Sequence, residues 1–344
     1  MFVKIVKGCV LVLGVLLGAA GAVELLFGTW FSAAPLDRLD LPRARRAVVS
    51  AHALYPGGGE VLYRRDVWGF RGDNPDPSRI AILTIGGTTT SQPALIEEQT
   101  WQRALERQFQ SHGRDGVVVA NAGIDGQSSV GHLRNLRQWL AHVPGLHPRF
   151  VLAFVGLGEI DDGVAAADIL SHDDATSAIR RKSGLLRLAR RLRDLGAIER
   201  LPLEHRRAGN VQARWVGAGS EPVPLTESEL AAYRFRLKSM ADEIHALGAV
   251  PVFITQARGD FRRVGGRVQG IASERGPNGV DRYNALARLN AATRDVCVRQ
   301  GLLCLDLAAE LEFAAADFYD FSHCTPAGAE KIGRWLYGKL AGLV

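Results

Sequence analysis

Asp320 and His323 are the pair in this chain best placed to do chemistry. A carboxylate three residues before an imidazole can hold the ring so that it acts as a base toward a hydroxyl. Hydroxyls and glycines gather in three other short runs. These are Gly86-Gly87-Thr88-Thr89-Thr90-Ser91, Asn121-Ala122-Gly123-Ile124-Asp125-Gly126-Gln127-Ser128 and Gly156-Leu157-Gly158-Glu159-Ile160-Asp161. Glycine lets backbone N–H groups approach a ligand closely. Taken singly, each piece has a plainer reading. Gly86–Thr90 is a tight turn into a helix with a threonine cap, and Asp320 simply satisfies His323.

The elements around these runs give them a common location. Five short apolar runs read as buried parallel strands: Ile80–Ile85, Val117–Ala120, Phe150–Val155, Ala249–Ile254 and Leu302–Leu307. Helical patterns separate them over Glu97–Ser111, Val130–His142, Glu227–Leu247 and Asn284–Gln300, and a last helix starts at Thr325-Pro326. Thr226 and Glu229 form a capping box. Alternating strand and helix imply an α/β fold, a doubly wound, mostly parallel five-stranded sheet. In such sheets the ligand site lies beyond the C-terminal strand ends. The three runs follow the first three strands, and Asp320–His323 lies between the fifth strand and the last helix.

Other chemistries lack their signatures. There is no G-x-x-x-x-G-K-[S/T] loop and no G-x-S-x-G elbow, and Gly156-Leu157-Gly158 lacks the third glycine of a dinucleotide loop. The nine histidines show no metal-ligand spacing, so no metal or other cofactor is expected. Cys9, Cys297, Cys304 and Cys324 contain no C-x-x-C pair. An oxidising compartment would permit one disulfide among the last three.

Together, and in this order, the four segments resemble the blocks of the SGNH (GDSL-type) hydrolase superfamily over roughly residues 60–342. The most specific stretch is Phe318-Tyr319-Asp320-Phe321-Ser322-His323-Cys324-Thr325-Pro326-Ala327-Gly328. The first block is similar to that of a membrane-anchored bacterial branch reading Gly-Gly-Ser-Thr-Thr. The resemblance implies a flavodoxin-like fold and ester or acyl-transfer chemistry. It puts Thr88 at the nucleophile, with its backbone N–H as an oxyanion donor. Gly126 supplies a second donor, His323 is the base, and Asp320 orients it. Gly158 stands where the family has an asparagine donor. Thr88 keeps a hydroxyl but adds a methyl that restricts its rotamers. Loss of one oxyanion donor typically costs about 10²–10³ in turnover. Thr89, Thr90, Ser91, Gln127, Ser128 and Glu159 fall on the same edge as candidate compensating groups.

The remaining chain sets the context. Lys4 and Lys7 precede an apolar run from Cys9 to Val23, which Leu25–Phe31 extend past Glu24. Residues 1–31 are therefore expected to be a signal anchor, or a signal peptide cleaved after Ala22, with the domain outside the cytoplasm on the periplasmic side. Residues 32–60 read as a linker with Pro35, Pro42, Pro56 and three successive glycines. Residues 61–344 form the hydrolase-like domain, with an insertion at 163–225. Within Arg180–Arg214 stand ten arginines and one lysine against Asp194, Glu199 and Glu204. That is either a solvated basic face or a surface for lipid headgroups or an acidic polymer. With 42 basic and 36 acidic residues overall, net +6, and no recognisable nucleic-acid module, nucleic acid is not an expected partner. Arg258–Asp281 reads as a long loop able to cover the site. Two functions fit. One is an envelope-facing ester hydrolase or acyl transferase on O-acyl groups of a glycan or lipid. The other is a weak or inactive relative that binds acylated glycan or a partner in envelope assembly.

Overall fold

The computed structural model describes residues 2–32, 34–74, 76–160, 179, 182–196, 199–203, 214–274 and 276–344. The chain divides into two units, residues 1–41 with 170–199, and residues 42–169 with 200–344. In the first, helix α1 (Phe2–Phe27) accompanies a later helix, Gly184–Gly196. Within α1, Ile5–Phe27 is apolar enough to cross a membrane, with mean hydropathy 2.4.

The second unit starts with an antiparallel pair, β1 (Arg45–Ser50) and β2 (Glu60–Arg65), in register from Arg45 opposite Arg65 to Ser50 opposite Glu60. Much of the stretch expected to be a linker is therefore folded. Val49, Ala51, Leu54, Tyr55, Val61 and Tyr63 are buried in the main core. Buried Ala47 and Val49, and buried Val61, Tyr63 and Arg65, alternate with more exposed neighbours, the two-residue period of a half-buried strand. The Gly57-Gly58-Gly59 run lies in the connection between the strands.

Five parallel strands form the central sheet: β3 (Ile80–Gly86), β4 (Val118–Asn121), β5 (Phe150–Phe154), β8 (Val250–Ile254) and β11 (Leu303–Leu305). Their spatial order is β11-β8-β5-β3-β4. Between β5 and β8 the chain also forms two short strands, β6 (Glu199–Leu201) and β7 (Trp215–Val216). The doubly wound expectation is thus met. One sheet face packs Ile82, Phe150, Leu152, Phe154, Val252 and Ile254 against Trp101, Leu105 and Phe109 of α3 (Trp101–Ser111). The same cluster takes in Ile332, Leu336 and Leu340 of the C-terminal helix Pro326–Leu340. Buried side chains of the helices Glu227–Ala246 and Gly279–Gln300 include Leu237, Met240, Ile244 and Leu289.

The helix starts follow local capping chemistry. Thr226 and Glu229 exchange bonds at the head of Glu227–Ala246. Gly279–Gln300 begins five residues before the sequence pattern suggests, because Asn278 and Asp281 form a second capping box. Between Arg258 and Asp281 the chain forms a hairpin, β9 (Phe261–Val264) and β10 (Arg267–Ile271), which pairs with β7. It is a small sheet where a long loop was expected. Of the insertion expected at 163–225, residues 163–178, 180–181, 197–198 and 204–213 lie outside the described residues.

The helix after β4 begins at Ser129 and buries His132, which is 3% exposed. Burial pushes this imidazole down to about 3. Between pH 6.5 and that value, the unfolded chain binds a proton on His132 that the folded chain refuses. Acidification through this window therefore removes stability. Lowering the pH from 7 to 4.5 is expected to cost about 2–3 kcal/mol through this residue. Urea unfolding of the parent and His132→Gln at both pH values checks it: the variant's loss should be smaller by that amount, and equal losses would contradict it.

Candidate active site

At the end of β3 the chain turns through Gly87 into a single helical turn, α2 (Thr88–Ser91). The amides of Thr90 and Ser91 both donate to the Gly87 carbonyl, at 3.1 and 2.9 Å. Thr88 is half-buried at the first position of this turn. Its N–H has no carbonyl within the turn to reach, as at any helix start. The turn exits through Gln92 in the left-handed region, φ 48°. Buried Arg71 fixes that exit by donating to the carbonyls of Ser91, Gln92 and Leu95 while pairing with Glu97 at 3.0 Å. Thr89 donates its hydroxyl to Gln256 Oε1 at 2.7 Å, and its carbonyl accepts from the Trp101 indole. Both Thr89 groups are thereby committed to the scaffold.

The segment after β4 lies directly against this turn. Asn121 donates its amide to the Thr90 carbonyl (2.8 Å) and accepts from Gly123 N (2.9 Å). Ile124 N donates to Gly86 O at 3.0 Å. A Cβ on Gly123 would stand 2.5 Å from Ser91 N, so only glycine permits the approach. Arg65, 3% exposed, supports the segment from behind by donating to Gly123 O and to the Tyr63 hydroxyl.

Asp320 and His323 form a tight unit. Asp320 Oδ1 accepts from the backbone amides of Ser322 (2.9 Å) and His323 (2.7 Å). Asp320 Oδ2 lies 2.7 Å from His323 Nδ1. Burial acts to raise the Asp320 pKa, but the bonds from His323 and these amides outweigh it and hold the carboxyl below its usual range. The ionised Asp320 fixes the tautomer with the proton on Nδ1, which makes Nε2 the basic atom. Tyr319 stacks on the imidazole, with centroids 5.6 Å apart and 12° between planes.

Asp125 connects the two halves. Its carboxyl lies near the Thr88 side chain and the Gly126 amide, both of which favour its ionised form, and it feels the charge of His323. Desolvation by the surrounding protein is the largest influence and raises its pKa, although the residue keeps contact with solvent. Asp125 is thus a shared neighbour of Thr88, Gly126 and His323, which Asp320 holds. Asp125 stood in the second sequence run without an assigned role. Its signal there was its position beside Gly126, which has φ 71°.

The other candidate residues point elsewhere. Gln127 is buried, its amide paired with Asn135, whose Nδ2 donates to Gln127 Oε1 at 2.6 Å. Glu159 accepts from Ser129 N at 2.7 Å, capping the helix after β4, and pairs with Arg236 at 2.7 Å. Gly158 packs against the chain itself. A Cβ there would stand 2.3 Å from the Gln127 carbonyl oxygen, and one on Gly87 would stand 2.8 Å from the same atom. That carbonyl fills the space into which a side chain at 158 would grow. Among the described residues no group of three or more His, Cys, Asp or Glu could hold a metal ion.

A sequence model of the GDSL-like lipase/acylhydrolase family matches residues 83–331, which contain all four segments of the site. The chain belongs to this family. A search of curated proteins finds no match. Solved structures similar to this GDSL-like chain include a lipase/acylhydrolase from Enterococcus faecalis, at 14% identity over 76% of this chain and 96% of that one, TM-score 0.44. A carbohydrate acetylesterase from Sinorhizobium meliloti is 11% identical over 77% and 100%, TM-score 0.43. An acetylxylan esterase from Geobacillus stearothermophilus is 14% identical over 75% and 93%, TM-score 0.42.

The closed space beside Gly158 gives a direct test. Gly158→Asn introduces a side-chain amide there, but its Cβ collides with backbone. Overpacking of this kind costs about 1–3 kcal/mol. The variant is expected to melt several degrees lower with no gain in ester turnover. An unchanged melting temperature with faster turnover would contradict the packing.

Proposed function

We propose that this protein is an ester hydrolase or acyl transferase that forms an acyl-enzyme on Thr88. Its substrates are O-acyl groups, acetyl being the smallest, on a glycan or lipid. The observation that carries the reading is the Asp320–His323 unit, oriented by three hydrogen bonds and sharing Asp125 as a neighbour with Thr88. A fold that needed only a loop here would have no use for an aspartate kept ionised against an imidazole.

In this reading His323 Nε2 takes the Thr88 proton as Oγ1 attacks the acyl carbon. The backbone amides of Thr88 and Gly126 receive the oxyanion. For this the Thr88 hydroxyl turns from the Asp125 carboxyl to His323 Nε2, and the Gly126 amide turns from that carboxyl to the incoming carbonyl oxygen. His323 then returns the proton to the departing alcohol oxygen. Water releases the acyl group in hydrolysis, and a second hydroxyl accepts it in transfer. With two amide donors and no side-chain donor at 158, turnover is expected to be slow. We place α1 in the membrane as an anchor, with the catalytic unit on the periplasmic side.

A second reading is favoured by one observation, the Gln127 carbonyl that blocks the space for a third donor. It makes the protein a binder of acylated glycan or of an envelope-assembly partner, with the site retained for recognition.

Hydrolysis of p-nitrophenyl acetate and butyrate by the full chain separates the two. Thr88→Ala and His323→Ala should each lower turnover at least about 100-fold, and Thr88→Ser should raise it. Turnover that is absent in the parent, or unchanged in both alanine variants, would overturn the enzymatic reading in favour of binding.

A further inference from the structure

The first unit holds a feature that ester chemistry does not use. The helix Gly184–Gly196 reads Gly-Leu-Leu-Arg-Leu-Ala-Arg-Arg-Leu-Arg-Asp-Leu-Gly, with four arginines against one aspartate. Leu185, Leu186, Leu188 and Leu192 are 38–60% exposed. Residues 185, 188 and 192 recur at helical spacing, so apolar surface is left uncovered along one side.

This helix is fastened to the C-terminal end of the apolar span Ile5–Phe27. Glu24 takes up its orphan N-terminal donors, accepting from Gly184 N at 2.9 Å, Leu185 N at 3.3 Å and the Ser183 hydroxyl. Ser183 in turn caps Leu186 N at 3.2 Å. Arg187 donates to the Phe27 carbonyl, and Thr29 N donates to Lys182 O at 2.8 Å. The approach is backbone to backbone, for a Cβ on Gly184 would stand 2.7 Å from Val23 O. The Trp30 indole donates to Glu24 at 2.7 Å, and Phe31 beside it is 86% exposed. Aromatic residues in that position suit a bilayer–water interface. Glu24, which interrupts the apolar run in the sequence, is therefore the joint between two helices.

We propose that Gly184–Gly196 is an interfacial helix whose leucines enter the acyl boundary of the bilayer while its excess of arginine binds anionic lipid headgroups. This rests on the reading of α1 as a membrane anchor. Position and charge commit the surface to one occupant. A helix that begins where an apolar span ends sits at headgroup depth, and cationic amphipathic helices there bind anionic lipid. Its consequence for function is that the anchor and this helix together offer two attachments to the membrane instead of one.

The test is hydrogen exchange of the full chain in nanodiscs of phosphatidylcholine alone and of phosphatidylcholine with 30% phosphatidylglycerol. Amides of 184–196 are expected to exchange about tenfold more slowly on the anionic discs. The difference should vanish at high salt. It should also vanish in the triple variant Arg190→Ser/Arg191→Ser/Arg193→Ser, and shrink in Leu188→Ser/Leu192→Ser. Equal exchange on both discs, with residues 5–27 protected, would overturn the interfacial helix and leave the anchor standing. Unprotected residues 5–27 would overturn the anchor and this proposal with it. Protection by soluble dextran sulfate but not by anionic discs would assign the helix to an acidic polymer and overturn the lipid reading.

Discussion

The site depends on backbone packed against backbone at the C-terminal ends of the central strands. The Gln127 carbonyl lies against both Gly87 and Gly158, and Gly123 lies against the Thr90–Ser91 peptide. A side chain at any of these glycines would push the segments apart by more than the contacts allow. Because the segments touch, Thr88, Gly126 and Asp125 are set by the sheet register and not by mobile loops. The same closeness leaves no room for a donor side chain at 158. The close placement of these segments and the lack of side-chain space at 158 thus have one cause.

Two buried guanidinium groups hold this arrangement from behind. Arg71 gathers three carbonyls at the exit of the Thr88 turn, and Arg65 grips the Gly123 carbonyl. Tyr63 lies between them, with Arg65 and Arg71 carbons 5.8 and 5.3 Å from its ring centre. Burying charged groups is costly unless every donor is used. Here the donors are spent on carbonyls that tight turns leave without helical or strand partners. The β1–β2 pair is therefore part of the site's support, since it carries both Tyr63 and Arg65.

Much of this was legible in the sequence where one residue's type fixes its local role. Apolar runs gave the five parallel strands. Thr226 with Glu229 gave a helix start, and Asp320 with His323 gave a hydrogen-bonded pair. The misses share a different character. Pro42, Pro56 and the glycine triplet suggested a linker across 32–60, yet tertiary burial of Val49, Val61 and Tyr63 makes strands of that region. Glu159 and Gln127 looked available because they follow strands, but Arg236 and Asn135 claim them from more distant parts of the chain. The obstruction at Gly158 is a contact with residue 127, some thirty positions away, which no spacing rule encodes. Asp125 was visible but mute, because its importance lies in which atoms surround it.

Family membership points to ester chemistry, and the proposed nucleophile within it is the Thr88 hydroxyl. The most direct measurement is covalent capture. The full chain would be treated with an alkyl fluorophosphonate and its peptides mapped by mass spectrometry. An adduct on the Thr88 hydroxyl, lost in His323→Ala, is the predicted result. An adduct on Ser91 instead, or labelling of Thr88 that persists without His323, would contradict the assignment of Thr88 and His323 as nucleophile and base.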